Sequence, residues 1–293
     1  MPRIAEAMSH GAVTIVNAMA TGKGAALGID LWTKARVQVD SEVGVIRGRN
    51  LTHPNEDTTL IETTVRRVFQ KFGVHNKFGA HVETRSNIPV AVGLKSSSAA
   101  SNAVALATIK ALGKKTSDLK TVNLAVDASL QAGVTLTGAF DDACACYFGG
   151  GVVTDNKQRR VLKRFRPNRR LHVLVHVPNS KKYTRNVNPN DFKRITQFIQ
   201  GAHREALKGN YWLSLTLNGL LYSEALGYST RPIKAALYAG AVAAGLSGKG
   251  PAVAAIVPSS KVDTVLRTWK TIPGHTIDAR LNFEKAHLLR VPN

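Results

Sequence analysis

Residues 89–99 read Pro-Val-Ala-Val-Gly-Leu-Lys-Ser-Ser-Ser-Ala and run directly into an alanine-rich stretch ending near Leu112. A glycine-containing loop that feeds the start of a helix is the most restrictive feature of this chain. The first N–H groups of a helix have no partner inside it, and the helix dipole places partial positive charge at the same end. Together they form a ready site for an anion. Gly93 lets backbone come close to a bound oxygen. Lys95 adds a positive charge, and Ser96, Ser97 and Ser98 add hydroxyls suited to phosphate oxygens or a magnesium ion. One serine would suffice as an ordinary helix cap; three after a Gly-Leu-Lys turn favour a ligand. The loop is not the common P-loop, which needs Gly, four residues, then Gly-Lys-Ser/Thr. The pairs Gly22-Lys23, Gly113-Lys114 and Gly248-Lys249 lack that context. No Rossmann fingerprint follows an early strand either.

The rest of the chain alternates strand and helix patterns. A β-branched run at 12–17 predicts a strand, and residues 34–39 and 43–47 predict a hairpin. Apolar residues Ile61, Val65, Val68, Phe69 and Phe72 follow helical spacing, with Gly73 where a helix stops. A strand is expected at 78–83, helices at 96–112 and 117–131, and a hairpin at 152–165. The pattern restarts near Pro167 with a strand at 171–177. Two or three helices fill 191–244, then a strand at 252–257, a helix near 260–269 and a strand near 276–283 close the chain. The mixture indicates an α+β fold in two parts, residues 1–160 and 161–293.

Lys and Arg outnumber Asp and Glu by 40 to 19, a net charge of +21. That balance raises nucleic-acid binding as one reading. The most basic stretch, residues 157–170, has eight Lys or Arg and a single aromatic, Phe165. It is a poor stacking platform and is read as a solvated hairpin and linker. The same balance makes acids scarce, so the adjacent Asp141-Asp142, in a small and apolar stretch, stands out. One of them is a candidate general base for phosphoryl transfer; the competing reading is a helix-capping pair. Two further loops are glycine-rich, 17–24, with Asn17, Thr21 and Lys23, and 245–251, with Gly248 and Lys249. Cys144 and Cys146, the two cysteines, are too few for a structural zinc site and are read as small core residues. The N-terminal residues lack a signal-peptide apolar region, and no apolar run reaches bilayer length. A cytoplasmic setting without membrane attachment is expected.

Pro89 to Ala99 resembles the ATP-binding motif of the GHMP kinase superfamily, and Gly245 to Pro251 is similar to its C-terminal glycine-rich motif. Within the superfamily, residues 11–31, Gly93-Leu94-Lys95-Ser96-Ser97-Ser98-Ala99 and Thr137-Gly138-Ala139-Phe140-Asp141-Asp142-Ala143 resemble the archaeal-type shikimate kinases. The resemblance covers essentially the whole chain. It implies an N-terminal part like ribosomal S5 domain 2, a ferredoxin-like C-terminal part, and ATP-dependent phosphorylation of the shikimate 3-hydroxyl. It also implies roles. Pro89, Val90, Ala91, Val92, Gly93, Leu94, Lys95, Ser96, Ser97, Ser98 and Ala99 wrap the ATP phosphates. Ser97 holds Mg2+, and Asp142 or Asp141 is the base. Asn17, Thr21, Lys23, Gly248, Lys249 and Arg185 face the substrate. Some superfamily members place a Glu on the metal; here that region offers only Asp127. The expected partners are ATP and shikimate, with no nucleic acid. A homoserine- or pantoate-type kinase is the alternative.

Overall fold

The computed structural model describes residues 3–135, 137–179 and 189–290. Two long strands open the chain, β1 (Arg3–Val16) and β2 (Lys23–Asp40). β2 divides its partners: residues 23–27 pair with β5 (Gly151–Asp155), whereas residues 33–40 pair with β4 (Gly79–Ser86). The burial pattern follows this division. Ala35, Val37 and Val39 are buried while the alternating Lys34 and Arg36 are exposed, as in a strand with one solvent face. In the first half Ala25, Ala26 and Leu27 are all buried. There α4 (Phe140–Phe148) and α5 (Thr196–Lys208) both pack on the strand.

The predicted hairpin at 34–47 does not form. β3 (Ile46–Asn50) runs parallel to β4, which lies between it and β2. Charged and polar residues dominate 40–49, so local pattern could not choose the partner. β6 (Arg160–Phe165) pairs with β5, and β11 (His287–Leu289) returns from the C-terminal end to pair with β1. The first sheet therefore takes strands from both ends of the chain.

Helices α1 (Thr59–Lys71), α2 (Ser96–Ala111) and α3 (Asp118–Gln131) pack together beside this sheet. α2 is its centre. Ala99, Ala103, Val104, Ala105, Ala107 and Ala111 are buried around its whole circumference, and the small side chains allow close contact with β1 and β2.

The second sheet is antiparallel, in the order β10 (His275–Asp278), β7 (Leu171–Val177), β9 (Val253–Pro258), β8 (Ala243–Leu246). Its apolar residues alternate between two cores. Val173, Val175, Ala254 and Ile256 face the core shared with β1, β2 and α4. Leu174, Val253, Ala255 and Val257 face a separate core containing Ile233, Val265 and Trp269. α6 (Tyr211–Ala225) touches both β1 and β8, whereas α7 (Arg231–Tyr238) and α8 (Val262–Trp269) pack on the sheet around the separate core. Burial on both faces explains why these strands read as continuous apolar runs. No helix among the described residues is long and apolar enough to cross a membrane.

Candidate active site

Two helix starts meet. α2 follows Gly93, at φ 94°, and Lys95, at φ 65°, which occupies the cap position without a side-chain cap. The first helical hydrogen bond runs from the Ala99 N–H to the Lys95 carbonyl, so the donors ahead of it receive no cap from a serine. The helix-cap reading of the serines therefore fails, and the dipole end is left for a ligand. Ser98 is buried while Ser97 is exposed. α4 likewise starts from a left-handed residue, Ala139 at φ 45°, and carries Asp141 and Asp142 inside its first turn instead of at the cap. The Lys95 ammonium bonds Asp142 Oδ2 at 3.1 Å, with both side chains largely buried, and so ties one helix start to the other.

Asp141 has a different environment. It is 3% exposed. Its Oδ1 accepts from Asn156 Nδ2 at 2.7 Å, and its backbone N–H donates to Asn156 Oδ1 at 3.2 Å. A Cβ added to Gly24 would lie 2.2 Å from Asp141 Oδ2, so only glycine fits beneath this carboxylate. Burial, then the neighbouring Asp142 charge, push the Asp141 carboxyl up to about 7, against the opposing pull of Asn156 and Lys95. Burial likewise pushes the Cys144 and Cys146 thiols up, and both are free, as expected for core residues.

The glycine-rich turn 245–251 is locked against the α2 loop. A Cβ on Gly93 would lie 2.1 Å from the Ser247 carbonyl oxygen. The Ser247 hydroxyl donates to the Gly93 carbonyl at 2.7 Å, and the Ala252 N–H donates to the Val92 carbonyl at 3.2 Å. The Gly248 N–H donates to the Thr14 hydroxyl at 2.9 Å, and Asn17 Nδ2 donates to the Gly248 carbonyl at 2.9 Å. The 17–22 turn is anchored to α6: the Asn17 N–H donates to Asn218 Oδ1 at 2.8 Å, and the Ala20 N–H donates to the Tyr222 hydroxyl at 2.9 Å. Asn17 and Gly248 thus hold the two turns together. Thr21 and Lys23 bond each other locally, with Lys23 exposed. Lys249 is half-buried in its turn. Pro89, Val90, Ala91, Val92 and Leu94 complete the loop before α2, and Arg185 lies outside the described residues. Asp127 lies elsewhere: it bonds Arg159 at 2.6 Å and Arg67 at 3.2 Å.

Sequence reasoning missed Thr14, Asn156, Asn218 and Tyr222. Thr14 and Asn218 sit in ordinary strand and helix patterns with no local signal. Asn156 reads as a turn residue, and only the fold brings it to Asp141.

Residues 59–150 match the model of the GHMP kinases N terminal domain. The chain is 42% identical over 279 residues to the shikimate kinase of Methanococcoides burtonii, covering 94% of this chain and 96% of that one. It is 44% identical over 265 residues to the shikimate kinase of Pyrococcus abyssi, covering 90% and 94%. Among solved structures, homoserine kinase from Cytophaga hutchinsonii superposes with a TM-score of 0.76 at 16% identity, covering 99% of this chain and 98% of that one. The mevalonate kinase of Methanococcus jannaschii gives 0.75 at 16%, covering 96% and 99%. The α+β architecture is therefore that of the GHMP kinases, and near-full-length identity above 40% to archaeal relatives places the chain in the shikimate kinase family.

Proposed function

We propose that this protein transfers the terminal phosphoryl group of ATP to the 3-hydroxyl of shikimate. The observation that carries the chemistry is the Lys95–Asp142 contact, which sets an uncapped helix start beside two carboxylates. The acceptor is that named for the archaeal relatives.

Phosphoryl transfer needs positioning and charge stabilisation more than covalent chemistry. The backbone from Pro89 to Ala99 embraces the ATP phosphates, and the free N–H groups of α2 with Lys95 meet their negative charge. Asp141 is the base. A carboxyl held near neutrality can take a proton from a hydroxyl without binding it too weakly or too tightly. Its partner Asp142 fixes Lys95 instead, so adjacent acids acquire separate roles from separate surroundings. The described residues contain no cluster of three or more His, Cys, Asp or Glu suited to a metal. Mg2+ binds through few protein oxygens together with phosphates and water, and the hydroxyl donors at the start of α2 fit that mode. Ser97 would hold it, and the ion would neutralise charge on the transferring phosphoryl group. The acceptor carboxylate needs a cation. Lys23, exposed beside the turn that Asn17 ties to Gly248, is a candidate among the described residues.

The test measures ADP release with shikimate, homoserine and pantoate in parallel. Turnover is expected with shikimate; turnover only with another acceptor overturns the substrate. Asp141→Asn is expected to lose about 10²–10⁴-fold in kcat while ATP still binds. Unchanged kcat removes Asp141 from the role of base.

A further inference from the structure

We propose that Asn156 is a positioning residue, which engages Oδ1 of Asp141 so that Oδ2 takes the acceptor's proton, and that the Arg159–Asp127 pair holds Asn156 in place. The inference rests on the reading of Asp141 as the base.

The orientation of the Asn156 amide is forced. Its Oδ1 accepts from two donors, the Asp141 N–H at 3.2 Å and the Thr154 hydroxyl at 2.7 Å. A flipped amide would set its NH₂ against the Asp141 N–H, a donor with no acceptor to offer. Nδ2 must therefore donate to Asp141 Oδ1, at 2.7 Å. Asn156 is 5% exposed, so water does not compete for these bonds. With Oδ1 engaged, Oδ2, against Gly24, is the oxygen that takes a proton. In the transfer, the acceptor O–H proton passes to Oδ2 and the oxygen forms a bond to the terminal phosphorus. The bond from that phosphorus to the ADP oxygen breaks, and ADP leaves with the electron pair.

Asn156 sits in the turn joining β5 to β6. Its N–H donates to the Gly22 carbonyl at 2.9 Å, and its carbonyl accepts from the Arg159 N–H at 3.3 Å. Arg159 has φ 51°, a conformation that costs a non-glycine residue energy and persists where contacts impose it. Its guanidinium reaches Asp127 Oδ1 at 2.6 Å and Asn123 Oδ1 at 3.4 Å on α3, while Arg67 of α1 holds the other oxygen of Asp127 at 3.2 Å. A run of fixed contacts thus connects the α1–α3 layer to the base. The basic stretch 157–170, read from sequence as a solvated surface, has in Arg159 a member that joins it to α3.

The charged and titratable groups acting on Asp141 are Asp142 from its own helix and Lys95 from the start of α2. Cys144 and Cys146 on the same helix and Tyr222 of α6 also couple to it. His203 of α5 faces the Thr154 carbonyl, with Lys23 of β2 and Asp155 of β5 acting on it. Donation from Asn156 favours the ionised carboxylate, so its removal raises the pH at which the base becomes available.

The experiment records kcat against pH, with ATP affinity, for Asn156→Ala, Arg159→Met and Asp141→Asn. Asn156→Ala is expected to move the acid limb upward by about one pH unit, a loss of about fivefold at pH 7 that is largely recovered by pH 9. Arg159→Met is expected to move it the same way by less, with ATP affinity unchanged in both. A loss equal at every pH, or an unmoved limb, overturns the inference. If Asn156→Ala does not fold, Asn156→Ser carries the same test beside Arg159→Met, and unmoved limbs in both overturn it. Full turnover by Asp141→Asn instead sinks the reading of the base. An inactive Asp141→Asn with an unmoved Asn156 profile sinks this inference alone.

Discussion

Gly24→Ala adds one methyl group beneath Asp141, the proposed base. The new Cβ would lie 2.2 Å from Asp141 Oδ2, 2.5 Å from its Cγ and 3.0 Å from its Cβ, where ordinary contact starts at 3.4 Å. The shortfall at Oδ2 is about 1.2 Å (3.4 less 2.2). Gly24 pairs in regular strand with Thr154, outside the left-handed region, so alanine suits the backbone and the conflict is with Asp141. The carboxylate must retreat by about 1 Å, and a displacement of that size at a reacting group costs about 10²-fold in rate. Overpacking of a filled core costs about 1–3 kcal/mol. Steady-state turnover, ATP affinity and urea unfolding measure the three quantities. The expected result is a kcat lowered about a hundredfold with ATP affinity within twofold of wild type. The unfolding cost of Gly24→Ala should be much smaller when measured on the Asp141→Ala background, because that change removes Oδ2 and Cγ and leaves only Cβ, at 3.0 Å. Wild-type turnover in Gly24→Ala, or a stability loss undiminished on the Asp141→Ala background, refutes the placement of Asp141 against this strand.

Lys95→Met strips one partner from a largely buried ion pair and is expected to destabilise the fold by about 3–5 kcal/mol; equilibrium unfolding and nucleotide titration should show lost stability and weakened ATP binding together. The raised Asp141 carboxyl means that the folded state binds this proton more tightly than the unfolded chain does. Its contribution to stability is therefore complete below the ordinary carboxylate value of 3.8 and is lost as pH rises to about 7. Asp141→Asn should flatten the pH dependence of unfolding across that window and be the more stable protein at pH 8. Lys23→Ala is expected to raise KM for the acceptor while leaving KM for ATP unchanged; an unchanged KM for the acceptor would remove Lys23 from that role.

The elements legible in the sequence were those whose pattern is set by one neighbouring layer. α1 matched its apolar spacing to within two residues at each end, and Gly73 ends it at φ 65°. The helix expected at 96–112 opens at Ser96, and the serines form its first turn because Gly93 and Lys95 take the left-handed positions ahead of it. What stayed hidden depends on distant partners. β3 found β4 in place of β2 because its alternating charges fit either neighbour. β11 is three residues long and takes its register entirely from β1. Asp141 and Asp142 could not be separated from sequence, since spacing treats adjacent acids alike; Asn156 and Gly24 on one side, and Lys95 on the other, distinguish them.

The net charge of +21 would by itself favour an ionised, low-titrating Asp141. The opposite shift shows which scale governs the site. Charges separated through solvent are largely screened beyond about 8–10 Å at physiological ionic strength. Part of the basic excess is also committed elsewhere. Arg67 and Arg159 share Asp127, Lys163 donates to the Leu207 carbonyl, and the Arg164 and Arg169 guanidinium groups lie over the Phe148 and Phe283 rings. Against that distant background the site sets its own terms: a buried carboxyl and a like charge one residue away, opposed by the Asn156 amide, the Lys95 ammonium and the Asp142 backbone N–H. The long-range field can still raise the rate at which polyphosphate arrives, an effect that weakens with salt. Encounter and proton transfer should therefore separate experimentally. Added salt lowers kcat/KM for ATP while the pH profile of kcat, set by Asp141 and its immediate neighbours, stays where it is.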